Sequence, residues 1–414
     1  TAVLDGSAAR SWREWRAESD AFGRVLQDLG IRPGDVVAAQ LPNAWEFLVA
    51  HVAIAAVGAV LLPLHSTLGR REVAALLDRT AARALLLPVA AEPPGRSGLP
   101  ALEFVIPVGP AEHRPGTYEA LVRERRGLSP DPVRVTADMP LVLMPSSGTT
   151  SARPKICIHT HGGLLGNAAV AARDGRSRAE DTLVSASPFT HLFGLFSLHV
   201  SLVAGGRQAL LPRWDAEAFR ELAAASRASV LFAVPAQLRD LVEMPGPVAA
   251  LREVRTGGAA VPAVLVAGVR RALGAATVVQ WGMSEVGAGL STAPDDPAEV
   301  AARSIGRPVG EGQVRVVDER GAVCPVGETG ELEFRGPSLF RGYLGDPGAT
   351  AAAMTPDGWL RTGDLACRHE DGTIGYRGRQ AERINVGGLK FSASEIEALL
   401  SDLPQLEPVS YTHL

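Results

Sequence analysis

The chain has 414 residues, 46% of them hydrophobic, a length and composition that suit two or more lobes with sizeable cores and exclude bulk disorder. Its formal net charge of −4, with both signs spread along the chain, argues against a protein that lives on nucleic-acid phosphates or an anionic membrane surface. The longest apolar run, Val52 to Leu64, falls short of the roughly 20 residues of a membrane helix and contains Pro63, so no membrane span is expected.

The predicted elements alternate along the first half. Ser11 to Leu29 reads as a helix ended by Gly30, with Trp15, Phe22, Val25, Leu26 and Leu29 near helical spacing. A strand at Val37–Leu41, an apolar helix at Ala44–Val57 and a buried strand at Gly58–Leu64 follow, then a helix at Arg70–Asp78 and a strand at Ala84–Leu87. Alternation of this kind predicts parallel α/β architecture. Glu92 to Pro100, rich in Pro and Gly, reads as a surface loop. A second α/β run spans about 182–279, with strands at Val230–Val234, Arg252–Arg255 and Thr277–Gln280 and a helix at Pro262–Leu273. After Ser304 the strands Val314–Val317, Gly330–Arg335 and Asp371–Tyr376 lie between turns rich in Gly, Asp and Pro, which predicts a small β region. Ser392 to Leu400 starts a helix with Ser394 as its N-cap.

No charged-then-apolar segment opens the sequence at Thr1, and Cys157, Cys324 and Cys367 form neither a CxxC pair nor a disulfide framework, so a reduced, cytoplasmic setting is expected. Of 41 basic residues two are lysines, Lys155 and Lys390. In a chain this biased to arginine, a lysine marks either chance or a site that needs a compact ammonium on a flexible stem.

Lys155 closes the most informative segment. The strand Leu141–Met144 runs into Pro145, Ser146, Ser147, Gly148, Thr149, Thr150, Ser151, Ala152, Arg153 and Pro154, then back into Ile156–Ile158. Hydroxyls and backbone N–H groups can surround phosphate oxygens while Lys155 supplies a point charge. A polar hairpin turn would share this composition, and no Walker G-x-x-x-x-G-K-[ST] pattern occurs. The order of residues from Ser147 to Lys155, followed by His159-Thr160-His161, resembles the phosphate-binding signature of the acyl- and aryl-CoA ligase family of adenylate-forming enzymes. Ser151 stands where a second glycine is usual, and the loop is one residue longer before Pro154.

Further segments match that family in order along the chain. Gln280-Trp281-Gly282-Met283-Ser284-Glu285 resembles its aromatic-Gly-Met-Thr-Glu segment, which implies Trp281 and Gly282 against adenine, Ser284 near the phosphates and Glu285 on Mg²⁺. As isolated residues they would be an ordinary strand end with a surface carboxylate. Gly257-Gly258-Ala259 matches the adenine-contacting turn, and Trp359-Leu360-Arg361-Thr362-Gly363-Asp364 with Gly378-Arg379 matches the two ribose contacts. A carboxylate suits a vicinal diol because it accepts from both hydroxyls. Pro188-Phe189-Thr190-His191-Leu192-Phe193-Gly194 resembles the segment that carries a histidine close to the substrate carboxylate and attacking thiol, although a lone histidine beside an apolar run is often simply packed.

The resemblance implies a large N-terminal domain of two packed α/β sheet subdomains plus a small β-rich subdomain, then a truncated α+β C-terminal lobe. The expected divisions are 1–180 with the phosphate loop, 181–305 with the adenine and acyl pocket, 306–378 as the β-rich part, and 379–414 as a remnant of the lobe. It also implies ATP, Mg²⁺ and coenzyme A as cofactors. Catalytic roles fall on Lys155, Thr149, His191 and Glu285, and nucleotide contacts on Ser146, Ser147, Gly148, Thr150, Gly257, Gly258, Ala259, Trp281, Gly282, Ser284, Asp364 and Arg379. The expected hinge position is Ala381, and Gly387-Gly388-Leu389-Lys390 would border a pantetheine channel. With no lysine after Lys390, slow adenylation by this chain is expected. The segment Leu183–Ala204 holds no acidic residue to pair with an amino acid's ammonium, so an aliphatic, alicyclic or aromatic acid is the expected substrate. Transfer to a carrier-protein pantetheine instead of CoA, or non-catalytic nucleotide binding, are the alternatives.

Overall fold

The computed structural model describes residues 1–6, 8–95, 97–109, 114–146, 154–244, 246–386 and 389–392, with the backbone alone at 383–386 and 389–392. A six-stranded sheet has the order Phe104–Val108, Ala84–Pro88, Val36–Ala39, Val60–Pro63, Pro140–Pro145, Ile156–Thr160. Its pairings are parallel except the last, which is antiparallel. Val36–Ala39 and Val60–Pro63 are buried throughout. Strands covered on both faces can be apolar at every position, which is why these segments read as continuous runs and not as alternations.

A nine-stranded sheet carries the second α/β run. Its order is Arg307–Pro308, Gly287–Ser291, Ala276–Met283, Glu253–Gly257, Val230–Phe232, Thr182–Ser185, Arg207–Ala209, Val3–Asp5, Ala8–Arg10. The inner pairings are parallel and the outer ones antiparallel. Gln313–Val317, Thr329–Arg335, Leu360–Arg368 and Ile374–Arg379 form a four-stranded antiparallel sheet. The α/β class with a small β-rich part is therefore as the sequence led us to expect.

The divisions differ in detail. Residues Val3–Asp5 and Ala8–Arg10, expected with the first subdomain, extend the second sheet through Val3↔Gln208 and Leu4↔Ala209. Arg307–Pro308, expected in the β-rich part, pairs instead with Leu290 and Ser291. Strands of two or three residues are too short to carry a readable period, so only the edge they complete reveals them. Leu360–Arg368 is likewise a full strand where the sequence offered only a motif.

Helix Trp12–Asp28 begins as its sequence dictates. Ser11 Oγ accepts the Glu14 N–H at 3.2 Å while the Ser11 N–H donates to Glu14 Oε2 at 2.7 Å, a reciprocal capping box. The two-stranded hairpin Arg383–Val386 and Leu389–Ser392 follows the 3₁₀ turn Gln380–Glu382 that holds Ala381. Ser392, expected to open a helix, instead ends the second strand, paired with Arg383, while Gly387, Gly388 and residues 393–400, with the expected cap Ser394, lie outside the described residues.

Candidate active site

Parallel strands of an open α/β sheet leave their carboxyl ends facing a crevice, where ligands gather. Four expected segments leave the nine-stranded sheet at that edge. Thr182–Ser185 leads to His191, Val230–Phe232 to Pro235, Glu253–Gly257 to Gly258 and Ala259, and Ala276–Met283 carries Trp281 and Gly282 and leads to Ser284 and Glu285. Gly257 is fixed by packing, since a Cβ there would lie 2.0 Å from the Gln280 carbonyl oxygen. Gly258 takes φ +81° and, like Ala259, is exposed, so this turn offers bare backbone at the edge.

Lys155 arrives from the other sheet. The Ser146 N–H donates to the Lys155 carbonyl at 2.7 Å and closes the base of the expected phosphate loop. Arg79 Nη1 holds the same base by donating to the Pro154 carbonyl at 2.6 Å. Ser147, Gly148, Thr149 and Thr150 lie outside the described residues. Lys155 is exposed, and its Nζ sits 4.6 Å from the centroid of the Tyr343 ring. Tyr343 is buried, and its hydroxyl donates to Glu285 Oε1 at 2.7 Å. Burial and the Glu285 charge push the phenol pKa well up, so the ring stays a neutral donor.

Glu285 lies on the tight turn between Ala276–Met283 and Gly287–Ser291. A Cβ at Gly282 would fall 1.9 Å from the Gly287 carbonyl oxygen, so only glycine allows these strands to approach. His159 Nε2 donates to the Ser284 carbonyl at 2.6 Å and ties the turn to strand Ile156–Thr160. Burial lowers the His159 pKa to about 4 and keeps that ring neutral. Ser284 itself is half-buried.

Trp281 is 7% exposed and packs against Phe334, with ring centroids 6.2 Å apart. Its indole N–H donates to Asp364 Oδ2 at 2.7 Å. Expected against an adenine, Trp281 is thus a buried donor to the expected ribose ligand. Asp364 faces Arg379 across neighbouring antiparallel strands, with Arg379 Nε 3.4 Å from Oδ1. Oδ1 is buried and has no hydrogen-bond partner among the described residues. Burial raises the Asp364 pKa, while the Trp281 hydrogen bond and the Arg379 charge oppose that shift.

His191 occupies the N-cap position of helix Leu192–Ala204 without a side-chain capping bond, and its ring lies 5.0 Å from that of His65. The side chain reaches solvent, yet the surrounding protein, and secondarily His65, hold its pKa down at about 4. The loop before it is pinned from the first sheet's side. Asn43 Nδ2 donates to the Ser187 carbonyl at 3.1 Å, and the Phe189 N–H donates to Asn43 Oδ1 at 2.7 Å. A Cβ at Gly194 would lie 2.1 Å from the Pro188 carbonyl oxygen, which accounts for the glycine three residues after His191.

These donors suit a magnesium nucleotide. Among the described residues no group of three or more His, Cys, Asp or Glu converges as an all-protein metal cage. A single carboxylate such as Glu285 is what Mg²⁺ takes when phosphates and water complete its shell. The orphaned Asp364 Oδ1 suits a sugar hydroxyl, which would return the hydrogen bond that burial has removed.

Sequence reasoning passed over Tyr343 and His65, and gave His159 and Gly289 no role of their own. Gly289 lets the Trp281 indole lie close on its neighbour strand, because a Cβ there would meet Trp281 Cζ3 at 2.6 Å. Tyr343 had only a Gly342-Tyr343 pair as a signal, with nothing local to connect it to Lys155 or Glu285.

An exposed lysine, a buried carboxylate joined to it through Tyr343 and an aspartate with one oxygen free of hydrogen bonds suit a nucleotide-dependent ligase. The AMP-binding enzyme family model matches residues 1–344, and the chain belongs to that family of adenylate-forming enzymes. It is 31% identical over 424 residues to the 2-hydroxy-7-methoxy-5-methyl-1-naphthoate–CoA ligase of Streptomyces carzinostaticus, covering 95% of this chain and 75% of that one. A salicylyl-CoA synthase / salicylate adenylyltransferase from Streptomyces sp is 31% identical over 441 residues, covering 99% of this chain and 78% of that one. The crystal structure of ATP-bound MatB from Rhodopseudomonas palustris superposes with a TM-score of 0.88 at 27% identity, over 97% of this chain and 80% of that one. The cofactors are those of adenylate-forming CoA ligases: ATP, Mg²⁺ and coenzyme A. Among the described residues no helix is long and apolar enough to cross a membrane.

Proposed function

We propose that the protein activates an apolar, preferably aromatic, carboxylic acid as its acyl-adenylate and passes the acyl group to coenzyme A. The observation that carries this reading is the pairing of a buried carboxylate, Glu285, with an exposed ammonium, Lys155, on either side of one tyrosine. In the first step an oxygen of the acid attacks the α-phosphorus of ATP, the mixed anhydride forms and pyrophosphate leaves. In the second the CoA sulfur attacks the acyl carbon, the C–O bond to AMP breaks, and the thiol proton passes to solvent.

The barrier to the first step is charge crowding, so cations aimed at developing negative charge supply much of the catalysis. Lys155 would face the β- and γ-phosphates with Ser146 and the hydroxyls of Thr149, Thr150 and Ser147 around them. Mg²⁺, held through Glu285, would neutralise phosphate charge. Asp364 and Arg379 would hold the ribose, and Gly257, Gly258 and Ala259 would border the base. His191, uncharged above about pH 4, would lie beside the acid without adding a positive charge.

An aromatic acid is favoured by two kinds of support. The segment from Leu183 to Ala204 holds no acidic residue, so an amino acid's ammonium would find no partner there. The two 31% identical relatives are named for naphthoate and salicylate ligation. The test is mass-spectrometric detection of acyl-AMP after the full-length protein meets Mg·ATP and a mixed library of acids. Aryl-AMP products, converted to aryl-CoA when CoA is added, are expected. An amino-acyl adenylate as the main product, or acyl transfer only to a carrier-protein pantetheine, would overturn the corresponding half of the proposal.

A further inference from the structure

We infer that Tyr343 is a positioning residue that holds Glu285 and Lys155 in separate, ready orientations for a magnesium nucleotide. The inference rests on the ligase reading above and concerns how that site is kept open. Tyr343 comes from neither segment that carries the two charges, Lys155 preceding the strand Ile156–Thr160 and Glu285 lying on the turn after Ala276–Met283. Its segment runs antiparallel beside Ile156–Thr160, with the Ile158 N–H on the Gly342 carbonyl at 3.0 Å and the Leu344 N–H on the Ile156 carbonyl at 2.8 Å. The Tyr343 N–H donates to Thr350 Oγ1 at 2.9 Å, and the Phe340 N–H donates to the Glu285 carbonyl at 2.8 Å. Both ends of the segment are therefore tied down, one of them to the turn that bears Glu285.

The side chain uses two different chemistries at once. Its hydroxyl gives a charge-assisted hydrogen bond to Glu285 Oε1, which fixes the carboxylate's rotation. Oε2 has no hydrogen bond among the described residues. The ring's π face holds the Lys155 ammonium by cation–π attraction. Among the described residues Lys155 makes no ion pair. An ammonium and a carboxylate this close to a common residue would otherwise be free to pair with each other. Such a pair would have to break before a polyphosphate and its cation could bind. The ring face and the hydroxyl give each charge a neutral partner of its own, which lessens that competition and leaves each charge to its own ligand.

The two chemistries separate by substitution. Tyr343→Phe removes the hydroxyl and keeps the ring, whereas Tyr343→Leu removes both. The full-length protein is titrated with Mn²⁺ by electron paramagnetic resonance in the presence of α,β-methylene-ATP, and with that nucleotide alone by calorimetry. Tyr343→Phe is expected to weaken Mn²⁺ binding at least fivefold and to leave metal-free nucleotide affinity within twofold. Tyr343→Leu should weaken both. A general structural defect would move both together in Tyr343→Phe as well, and that result would overturn the inference. Glu285→Gln is the control. Weakened Mn²⁺ binding in Glu285→Gln beside wild-type binding in Tyr343→Phe would sink the positioning role alone. Wild-type Mn²⁺ binding in Glu285→Gln would overturn the ligase reading and, with it, this one.

Discussion

The Trp281 indole donates its only N–H to Asp364 Oδ2 at 2.7 Å, across 83 positions of sequence, and both residues are buried. The bond commits one oxygen of the carboxylate and leaves Oδ1 without a hydrogen bond, beside Arg379. A carboxylate in a buried place is costly unless its charge is met, and here the indole meets half of it. The other oxygen faces the Arg379 guanidinium at 3.4 Å without a hydrogen bond.

Removing that donor tests the arrangement. Trp281→Phe keeps an aromatic ring against Phe334 and deletes the N–H, so Asp364 should become harder to ionise and less well aimed. ATP affinity measured by calorimetry is expected to fall about tenfold, equivalent to roughly 1.5 kcal/mol, the low end for one hydrogen bond to a charged group. Unchanged affinity would mean that Asp364 does not meet the nucleotide.

Lys155 is exposed, so its loss should spare the fold and strike the chemistry. Lys155→Ala is expected to keep the wild-type melting temperature within a degree or two. Pyrophosphate exchange should drop by about a hundredfold, or roughly 2.7 kcal/mol, the scale for deleting one group aimed at developing charge. Exchange at the wild-type rate would remove Lys155 from the phosphate site.

Gly282 is a packing requirement before it is anything else. Gly282→Ala drives a methyl into the Gly287 carbonyl across a pair of strands that cannot part without moving Glu285. Destabilisation of about 3 kcal/mol is expected from overpacking of this kind, read by urea unfolding. A neutral result would show that the turn relaxes freely, and with it that Glu285 is not rigidly held.

A buried pair of histidines is expected to contribute to the acid sensitivity of the fold. His51 and His199 are buried, their Nε2 atoms 2.8 Å apart, so one ring donates and the other accepts. Burial lowers the His51 pKa to about 4 and holds that of His199 well down, with His51, His161 and His159 adding to the His199 shift. The unfolded chain titrates near 6.5 and takes up protons that the folded one refuses. Stability is thus full above about pH 6.5 and is lost as pH falls toward 4. By pH 5.5 the loss from His51 is on the order of 1 kcal/mol. Urea unfolding at pH 7.5 and 5.5 measures it, and His199→Gln should flatten the dependence. An equal slope in that variant would place the acid sensitivity elsewhere.

Much of this was legible without coordinates. Helix Trp12–Asp28 is written in its Ser11-x-x-Glu14 cap and its apolar spacing, and Val60–Pro63 in an unbroken apolar run. The order of the segments around Lys155, Gly257, Glu285 and Asp364 carried the family, because each is a short stretch whose residue types suit its own part of a nucleotide.

Tertiary structure alone decided which of them meet and through what. Nothing local to Tyr343 connects it with Lys155 or Glu285, nothing local to Trp281 points to Asp364, and nothing in Val3–Asp5 says that it joins the strand Arg207–Ala209. The period of a strand or helix records which face is buried, so neighbours within one element leave a trace in the sequence. Which strand lies beside which is settled by how whole sheets cover their apolar faces, and a pairing between distant segments leaves no period to read.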